Sequence, residues 1–575
     1  MKSDNTDTKM RNLAAEREAE FRRLERDGLY LKEHEHDACG VGVVANISGD
    51  RSHEIIQQGL EVLRNLGHRG ACGCDPETGD GAGILVQMPH RFMVKVAAEC
   101  GVDLPDALRY AVAMCFLPQD EELRRFCMQA LERSAREHGV EPLGWRDVPV
   151  NPGAVGAWAR ARMPHIAQLF LKAPEGIGET LLERRLYVIR KSTEKTVRDR
   201  IVQIEESSGD DPSEHDLAVV NALLNEWYVP SLSARTIVYK GMLMAEQTDS
   251  FYDDLTDLDF ESHFAMVHSR FSTNTLGSWK LAHPYRMLAH NGEINTVRGN
   301  RNWMSARELT LESELFGDYI RDILPICETD EPSDTASLDN AFEAVYMGGR
   351  SVSHTAAMMM PAAWYGHESM PQNVKDFYEY HGGIMEPWDG PAMITFTDGH
   401  MLGAVLDRNG LRPFRYSVTK DNLLVMASET GVLDIPADQI VYRSRLRPGR
   451  MFLVDFEEKR IIEPEEVADN LASAEPYGEW LANQRLAVDD LDKPQNVPNV
   501  DLESAPLRQI VFGYSQEDMR MLIGPMGVTA HQPQGSMGND APLAVLSDKP
   551  QNLFAYFKQD FAQVSNPPLD AIREE

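Results

Sequence analysis

The spacing of apolar residues along the chain predicts its helices. From Ile55 to Leu66, apolar side chains recur every three or four positions, and Gly67 follows as a stop signal. The same spacing predicts helices over residues 121–139, 217–227 and 336–346. In each case one face of the helix is apolar, so each helix is expected to pack against another layer of the protein.

Short apolar runs between turn residues predict the strands. These runs cover residues 84–86, 186–189, 236–239, 264–267, 424–427 and 451–454. Residues 403–413 have the pattern of a strand, a two-residue turn and a second strand. Strands and helices alternate irregularly, which indicates packed layers of sheet and helix.

The pattern also divides the chain into regions. Residues 463–506 lose strand character and are rich in Asp, Glu, Asn and Pro, which is typical of a linker. We therefore predict an N-terminal extension (1–38), a first domain (39–462), a linker (463–506) and a second domain (507–575). No closing element is evident near residue 575, so we expect the chain to stop inside the second domain.

Composition narrows the class of protein. The 575 residues include 57 basic and 90 acidic side chains, and the resulting net charge of −33 argues against binding to nucleic acid or anionic membranes. No apolar run reaches the length of about 18 residues that a membrane span needs. The seven cysteines are sparse and odd in number, which favours free thiols in a reducing compartment, and we expect a cytoplasmic protein.

The start of the first domain carries the first candidate for chemistry. Residues 1–38 contain 18 charged side chains and no apolar core of a secretory signal, and the apolar run after Cys39 begins abruptly with Gly-Val-Gly. This pattern is typical of an N-terminal nucleophile behind a propeptide that is cut between Ala38 and Cys39. Taken alone, a cysteine at a strand start is more often a small buried apolar residue.

Three later segments are candidates for a substrate site. Arg270 leaves a predicted strand, where its guanidinium could fork onto a carboxylate. Asn291 and Gly292 follow a short apolar run, a pattern that usually marks a hairpin turn. Asp334 precedes a predicted helix, which it or Ser333 could cap.

A metal site is not predicted. Cys72 and Cys74 lie close to His68, but no second cysteine pair follows at zinc spacing. The Gly-rich segment 78–83 lacks the Lys-Ser/Thr of a phosphate-binding loop and leads into a strand.

Taken together, the motifs resemble the large subunit of the glutamate synthase family. The first domain resembles its class II glutamine amidotransferase domain, and residues after 507 resemble the start of its central domain. The motifs that carry the resemblance are the Cys-Gly-Val-Gly start, His268–Asn274, His290–Thr296, Ser333–Asn340, Leu406–Pro413, Gly535–Ser547 and Tyr556–Val564.

The resemblance implies a fold and a reaction. The fold would be α+β, a four-layer αββα sandwich of the N-terminal-nucleophile type, followed by a partial α/β central domain. The reaction would make two glutamates from L-glutamine and 2-oxoglutarate, with ammonia passing from this domain to a synthase domain. FMN and a 3Fe–4S cluster would lie in that synthase domain, beyond residue 575, and no cofactor is expected within the chain. A small FAD/iron–sulfur subunit would be a further partner.

The resemblance also assigns roles to residues. Cys39 would be the nucleophile and its freed α-amino group the base, while Asn291 and Gly292 would form the oxyanion hole. Arg270 would bind the α-carboxylate of glutamine and Asp334 its α-ammonium group. The other positions that match the lining of the family's pocket are Thr273, Asn274 and His283.

Two other interpretations remain open at this stage. The chain could be a non-catalytic assembly or regulatory subunit of a split glutamate synthase. It could also be an amidohydrolase of the same nucleophile class that acts on a different amide, although Arg270 and Asp334 argue against that.

Overall fold

The computed structural model describes residues 39–70, 77–209, 212–270, 277–328, 333–493, 501–531 and 543–557. Its residues form two compact units, of which the first ends at Leu481 and the second begins at Ala482. The predicted propeptide, residues 1–38, lies outside the described residues.

The first unit is built on three antiparallel sheets. One has seven strands in the order β14-β12-β13-β1-β8-β2-β7, one has five in the order β16-β15-β11-β10-β9, and one has four in the order β4-β5-β3-β6. The strands are β1 Gly40–Asn46, β2 Ala82–Gln87, β3 Tyr110–Leu117, β4 Glu141–Asp147, β5 His165–Lys172, β6 Tyr228–Ser233, β7 Thr236–Gly241, β8 Phe264–Ser269, β9 Leu288–Gly292, β10 Ala392–Thr397, β11 Met401–Leu406, β12 Arg415–Thr419, β13 Leu423–Ala427, β14 Ile440–Arg445, β15 Met451–Asp455 and β16 Arg460–Ile462.

The seven-stranded and five-stranded sheets pack face to face. Val41, Val43 and Met266 from the first sheet share one buried cluster with Met393 and Phe452 from the second. Alternate residues of β1 face the opposite direction, where Val44 belongs to a cluster that includes the helix His53–Asn65. Because both faces are covered, β1 is a continuous apolar run.

Helices cover the outer face of each sheet. The helix His53–Asn65 lies on the seven-stranded sheet, and the helices Asp334–Met347, Val352–Met359 and Gln372–Gly382 share a buried cluster with the five-stranded sheet. The layers therefore run helix, sheet, sheet, helix, which confirms the predicted α+β sandwich. Other helices of this unit are His90–Glu99, Ala157–Ala161, Thr248–Phe251 and Val297–Glu308.

The four-stranded sheet is an addition that we did not predict. It packs against the helices Glu121–Glu137, Glu179–Ser208 and Glu214–Asn225 in a separate buried cluster. The predicted strand over 186–189 is wrong, because these residues lie within the 30-residue helix Glu179–Ser208. Leu186 and Ile189 pack toward the four-stranded sheet while Tyr187 and Val188 pack toward other helices, so a helix buried on two sides imitates the apolar run of a strand.

Two predicted turns also differ from the structure. The second strand predicted in 403–413 is absent, since the chain leaves β11 through a turn at Asp407–Gly410 and β12 begins only at Arg415, in the other sheet. The Asn291-Gly292 pair is not a hairpin turn either, because both residues belong to β9 and pair with β10.

The predicted linker begins later than residue 463. Pro464–Ser473 is a helix whose Val467 and Leu471 are buried against the first unit, and Tyr477–Gln484 is a second helix. In the second unit the described residues include the helices Ala505–Val511 and Gly524–Thr529, and no strand occurs among residues 482–493, 501–531 and 543–557. The α/β character of the second domain stays a prediction.

Among the helices formed by the described residues, none is both long enough and apolar enough to cross a membrane.

Candidate active site

Cys39 and Arg270 are neighbours at the same end of the seven-stranded sheet. Cys39 is the residue before β1, and Arg270 is the residue after β8. The two strands are antiparallel, and Gly40 is paired with Ser269, so the register brings the next residues of each strand opposite one another. The backbone N–H of Arg270 donates to the carbonyl oxygen of Gly81, 2.8 Å away, which ties this end of β8 to the loop before β2.

The backbone beside Cys39 is held by close packing and by hydrogen bonds. A Cβ on Gly42 would lie 2.3 Å from Val62 Cγ1, so the helix behind the sheet approaches β1 as closely as a glycine allows. The backbone N–H of Ser428 donates to the carbonyl oxygen of Val41 (3.0 Å), and the hydroxyl oxygen of Ser428 accepts the N–H of Val41 (3.3 Å). The strand that carries the cysteine is therefore rigidly placed.

Asn291 enters the site from the facing sheet. The Nε2–H of His268 on β8 donates to the carbonyl oxygen of His290 on β9, 2.9 Å away, and this bond joins the two sheets beside Asn291. Asn291 is 2% exposed, and its Oδ1 atom has no hydrogen-bond partner among the described residues. Most buried polar atoms in folded proteins are paired, so the unpaired Oδ1 of Asn291 is an exception that a bound substrate or an ordered water would account for.

Gly292 is needed for the geometry of this strand end. Its φ of +128° is one that side-chain-bearing residues rarely adopt. A Cβ there would also lie 1.9 Å from the carbonyl oxygen of Pro391. The backbone can turn out of β9 at this point only because residue 292 has no side chain.

Asp334 is the first residue of the helix Asp334–Met347, which is capped by the hydroxyl of Ser333. Its carboxylate accepts the N–H of Ile294 at 2.8 Å, so it lies beside the segment that follows Gly292. The N–H of Thr335 donates to the other carboxylate oxygen at 2.7 Å. The side chain is half-buried, which leaves part of it open to a cationic group.

His283 lies beneath the site in a stack of buried rings. Its imidazole stacks on that of His268 with ring centroids 4.2 Å apart, and His283 is 5% exposed. Burial lowers the pKa of His268 to about 3 and depresses the pKa of His283 well below its ordinary value. Both rings are therefore neutral near pH 7, so neither offers a positive charge to the substrate's carboxylate.

The remaining predicted site residues, Thr273 and Asn274, lie outside the described residues, as do Cys72 and Cys74. Within the part of the chain that the structure describes, no group of three His, Cys, Asp or Glu side chains could hold a metal ion.

The structure adds residues that sequence reasoning missed. His290 and Thr335 lie between Asn291 and Asp334, and Arg412 donates from Nε to the carbonyl oxygen of Pro391 at 3.2 Å. Arg412 belongs to the Leu406–Pro413 motif, and the length of that motif could have indicated that Arg412 lies near the site. His290 and Thr335 each adjoin a predicted site residue, but their separation of 45 residues in the sequence does not predict that they contact each other.

Chemically, the site offers a thiol, a buried side-chain amide, a half-buried glycine at a strand end, a buried guanidinium and a carboxylate. These groups suit attack on a carbonyl carbon of a substrate that carries both a carboxylate and an ammonium group.

Comparison with known proteins agrees with this description. Residues 39–480 match the family model of class-II glutamine amidotransferases, and residues 507–575 match that of the glutamate synthase central domain. The glutamate synthase [NADPH] large chain of Bacillus subtilis (strain 168) is 48% identical over 550 residues, which cover 95% of this chain and 34% of that protein.

Other relatives are similar over the same region. The ferredoxin-dependent glutamate synthase 2 of Synechocystis sp. is 40% identical, with 94% of this chain and 33% of that protein covered. The glutamate synthase [NADPH] large chain of Azospirillum brasilense is 40% identical, with 95% and 35% covered. The chain thus spans about a third of the length of these relatives.

Proposed function

Because this chain belongs to the class-II glutamine amidotransferases, we propose that it hydrolyses the side-chain amide of L-glutamine at Cys39, as the ammonia-producing part of a glutamate synthase. The observation that carries the proposal is the convergence of Cys39 and Arg270 on one sheet with Asn291 and Gly292 on the other, bridged by the bond from His268 to His290. Asp334 adjoins the second pair through Ile294.

The reaction begins with proton transfer from the thiol of Cys39 to its own α-amino group. A free α-amine has a pKa of about 7.7–8.0, close to working pH, whereas a peptide nitrogen cannot accept a proton. Cleavage before Cys39 therefore creates the base. The sulfur attacks the carboxamide carbon, and the negative charge that develops on oxygen is stabilised by the side-chain amide of Asn291 and the backbone N–H of Gly292.

Collapse of this intermediate breaks the carbon–nitrogen bond. The α-ammonium group of Cys39 returns the proton to the leaving nitrogen, so ammonia departs and a thioester with Cys39 remains. Water then attacks the thioester, with the α-amine again accepting a proton, and glutamate is released with the thiol restored. The amine thus accepts and returns one proton in each half of the cycle.

The two ends of the substrate are held by opposite charges. The buried guanidinium of Arg270 suits a bidentate bond to the α-carboxylate, and the half-buried carboxylate of Asp334 suits the α-ammonium group. Together they favour free glutamine over a glutamine side chain within a protein, which has neither charge.

The ammonia would pass to 2-oxoglutarate in a synthase domain, in keeping with the central-domain match at residues 507–575. FMN and a 3Fe–4S cluster would belong to that domain, and a small FAD/iron–sulfur subunit would supply electrons in the cytoplasm. No cysteine follows Cys327, and the described residues contain no three-ligand cluster. The described residues therefore do not fit an iron–sulfur cluster.

The test combines N-terminal sequencing with ammonia release from L-glutamine. The active protein should begin at Cys39, and Cys39→Ala should release no ammonia. Cys100→Ala is the matched control, since Cys100 is an exposed free thiol. Equal rates for wild type and Cys39→Ala would refute the proposal, and an uncleaved protein that binds a synthase chain without turnover would favour an assembly role.

A further inference from the structure

Thr335 lies between a substrate-binding carboxylate and the strand of the oxyanion hole. Its hydroxyl is 3.1 Å from Oδ1 of Asp334 and 3.0 Å from Nδ1 of His290. Thr335 is 2% exposed and His290 is 3% exposed, so water does not compete for these bonds. Neither residue takes part directly in the proposed hydrolysis of glutamine.

The direction of each hydrogen bond follows from the groups involved. An ionised carboxylate only accepts, so the single hydroxyl proton of Thr335 is donated to Asp334. The hydroxyl oxygen then accepts from Nδ1–H of His290. Burial lowers the pKa of His290, with Asp334 opposing the effect. The ring is therefore neutral near pH 7, and its one proton sits on Nδ1.

His290 makes a further hydrogen bond through its backbone. Its Nε2 atom is buried and has no hydrogen-bond partner among the described residues, and its carbonyl oxygen accepts from His268 at 2.9 Å. The two histidines thus carry their protons on different nitrogens. Two side-chain hydrogen bonds therefore join Asp334 through Thr335 to the ring of His290, and His290 is the residue directly before Asn291 on β9.

We propose that Thr335 and His290 are positioning residues that couple Asp334 to Asn291, so that recognition of the substrate's α-ammonium group and alignment of the oxyanion hole depend on one another. This inference rests on the proposed function. An ammonium group bound to Asp334 orders its carboxylate, and the carboxylate orders Thr335 and through it the ring of His290. An amide substrate without an α-ammonium group would leave Asp334, Thr335 and His290 less ordered. It would therefore be hydrolysed slowly even when it binds.

The coupling can be tested with a variant that lacks the hydroxyl of Thr335 but keeps the size and shape of the side chain. Thr335→Val deletes both hydrogen bonds, and Thr335→Ser keeps them. Thr395→Val is the matched control, because Thr395 is also fully buried and donates to the same strand at the carbonyl oxygen of Ala289 (3.3 Å), outside the connection. Thermal unfolding of each variant checks that it is folded before kcat and KM for L-glutamine are measured.

Coupling predicts that Thr335→Val raises KM and also lowers kcat, with a loss in kcat/KM of about 10- to 100-fold, the range for a hydrogen bond to a charged group. Thr335→Ser and Thr395→Val should stay close to wild type. A rise in KM alone would mean that Thr335 serves only Asp334, and it would overturn the coupling. Unchanged kinetics in a folded Thr335→Val would overturn the role of Thr335 altogether. A wild type that releases no ammonia would instead refute the proposed function.

Discussion

The carbonyl oxygen of Pro391 lies where a side chain on Gly292 would begin, 1.9 Å from the position of a Cβ atom. The backbone at Pro391 therefore leaves no room for a side chain at residue 292, where the strand end supplies one donor of the proposed oxyanion hole. The same oxygen accepts the N–H of Glu293 at 3.3 Å and the Nε–H of Arg412 at 3.2 Å, so three neighbours fix its place.

Gly292→Ala should therefore abolish most activity. Either the strand end or the segment at Pro391 must shift, and the donor N–H shifts with it. Loss of one oxyanion-hole donor typically lowers kcat by about 10²–10³-fold. The measurement is kcat for ammonia release from L-glutamine. Gly299→Ala is the control, because a Cβ at Gly299 meets no atom within 4 Å, and activity retained by Gly292→Ala would contradict the role of residue 292.

Arg270→Lys should raise KM for L-glutamine by about 10- to 100-fold, with a smaller change in kcat. Lysine keeps the positive charge but replaces a planar fork by a single ammonium group, so one of two hydrogen bonds to the α-carboxylate is lost. Steady-state kinetics would measure the change. Arg91→Lys, at an exposed ion pair with Asp259, should leave KM as it is. Equal KM values for wild type and Arg270→Lys would place the α-carboxylate elsewhere.

Asp254→Asn should destabilise the first unit by about 3–5 kcal/mol, as expected when a buried charge loses its partner. Both side chains of the pair are buried, and Arg146 forks onto Asp254 with bonds of 2.8 and 2.6 Å, while the hydroxyl of Tyr239 donates to the same carboxylate at 2.8 Å. Urea unfolding would measure the effect. Asp259→Asn, at an exposed pair, should cost no more than about 1 kcal/mol, and equal losses for the two variants would contradict the argument.

The contact between Glu179 and His400 should make stability depend on pH in both directions. A hydrogen bond from His400 Nε2, 2.5 Å away, lowers the pKa of Glu179 to about 2, and the same bond raises the pKa of His400. The contribution of Glu179 is present above its unfolded pKa of about 4.3 and is lost as pH falls toward 2. That of His400 is present below about pH 6.5 and is lost as pH rises through its raised pKa.

His400→Gln should therefore lower the urea midpoint most near pH 5.5. The difference from wild type should shrink near pH 9, where His400 of the wild type is neutral, and as pH falls through about 2, where Glu179 becomes protonated. His165→Gln is the control, since the carboxylate of its partner Asp147 is 80% exposed. A difference that stays constant with pH would rule out the paired charges as its source.

Much of the sandwich was predictable because its strands are covered on both faces and read as continuous apolar runs. Predictions failed where burial on two sides removed the difference between helix and strand, as at Leu186–Ile189. The Asn291-Gly292 pair was wrongly predicted to form a turn for a related reason. Glycine is required there because the backbone at Pro391, 99 residues later, approaches residue 292 closely. Local spacing carries no information about such a partner.

Some residues of the site were predictable from the sequence and others were not, for the same reason. Cys39, Arg270 and Asp334 stand at the ends of predicted elements, where a functional side chain is conspicuous. His290 lies inside β9 and Thr335 is the second residue of the helix Asp334–Met347, and only the packing of the start of that helix against β9 brings them together. Contacts across 45 residues of sequence depend on the whole fold.

The 30-residue helix Glu179–Ser208 has a consequence for any attempt to reduce the protein to a minimal enzyme. One side of it buries Leu186 with the four-stranded sheet, and the other buries Arg190, which bonds to Glu343 in the helix Asp334–Met347 at 2.5 Å. Excising the four-stranded sheet with this helix would strip Glu343 of a buried cationic partner in the very helix that begins at Asp334. The four-stranded sheet and its long helix thus support the helix that begins at Asp334, and a shortened version of the protein should retain both.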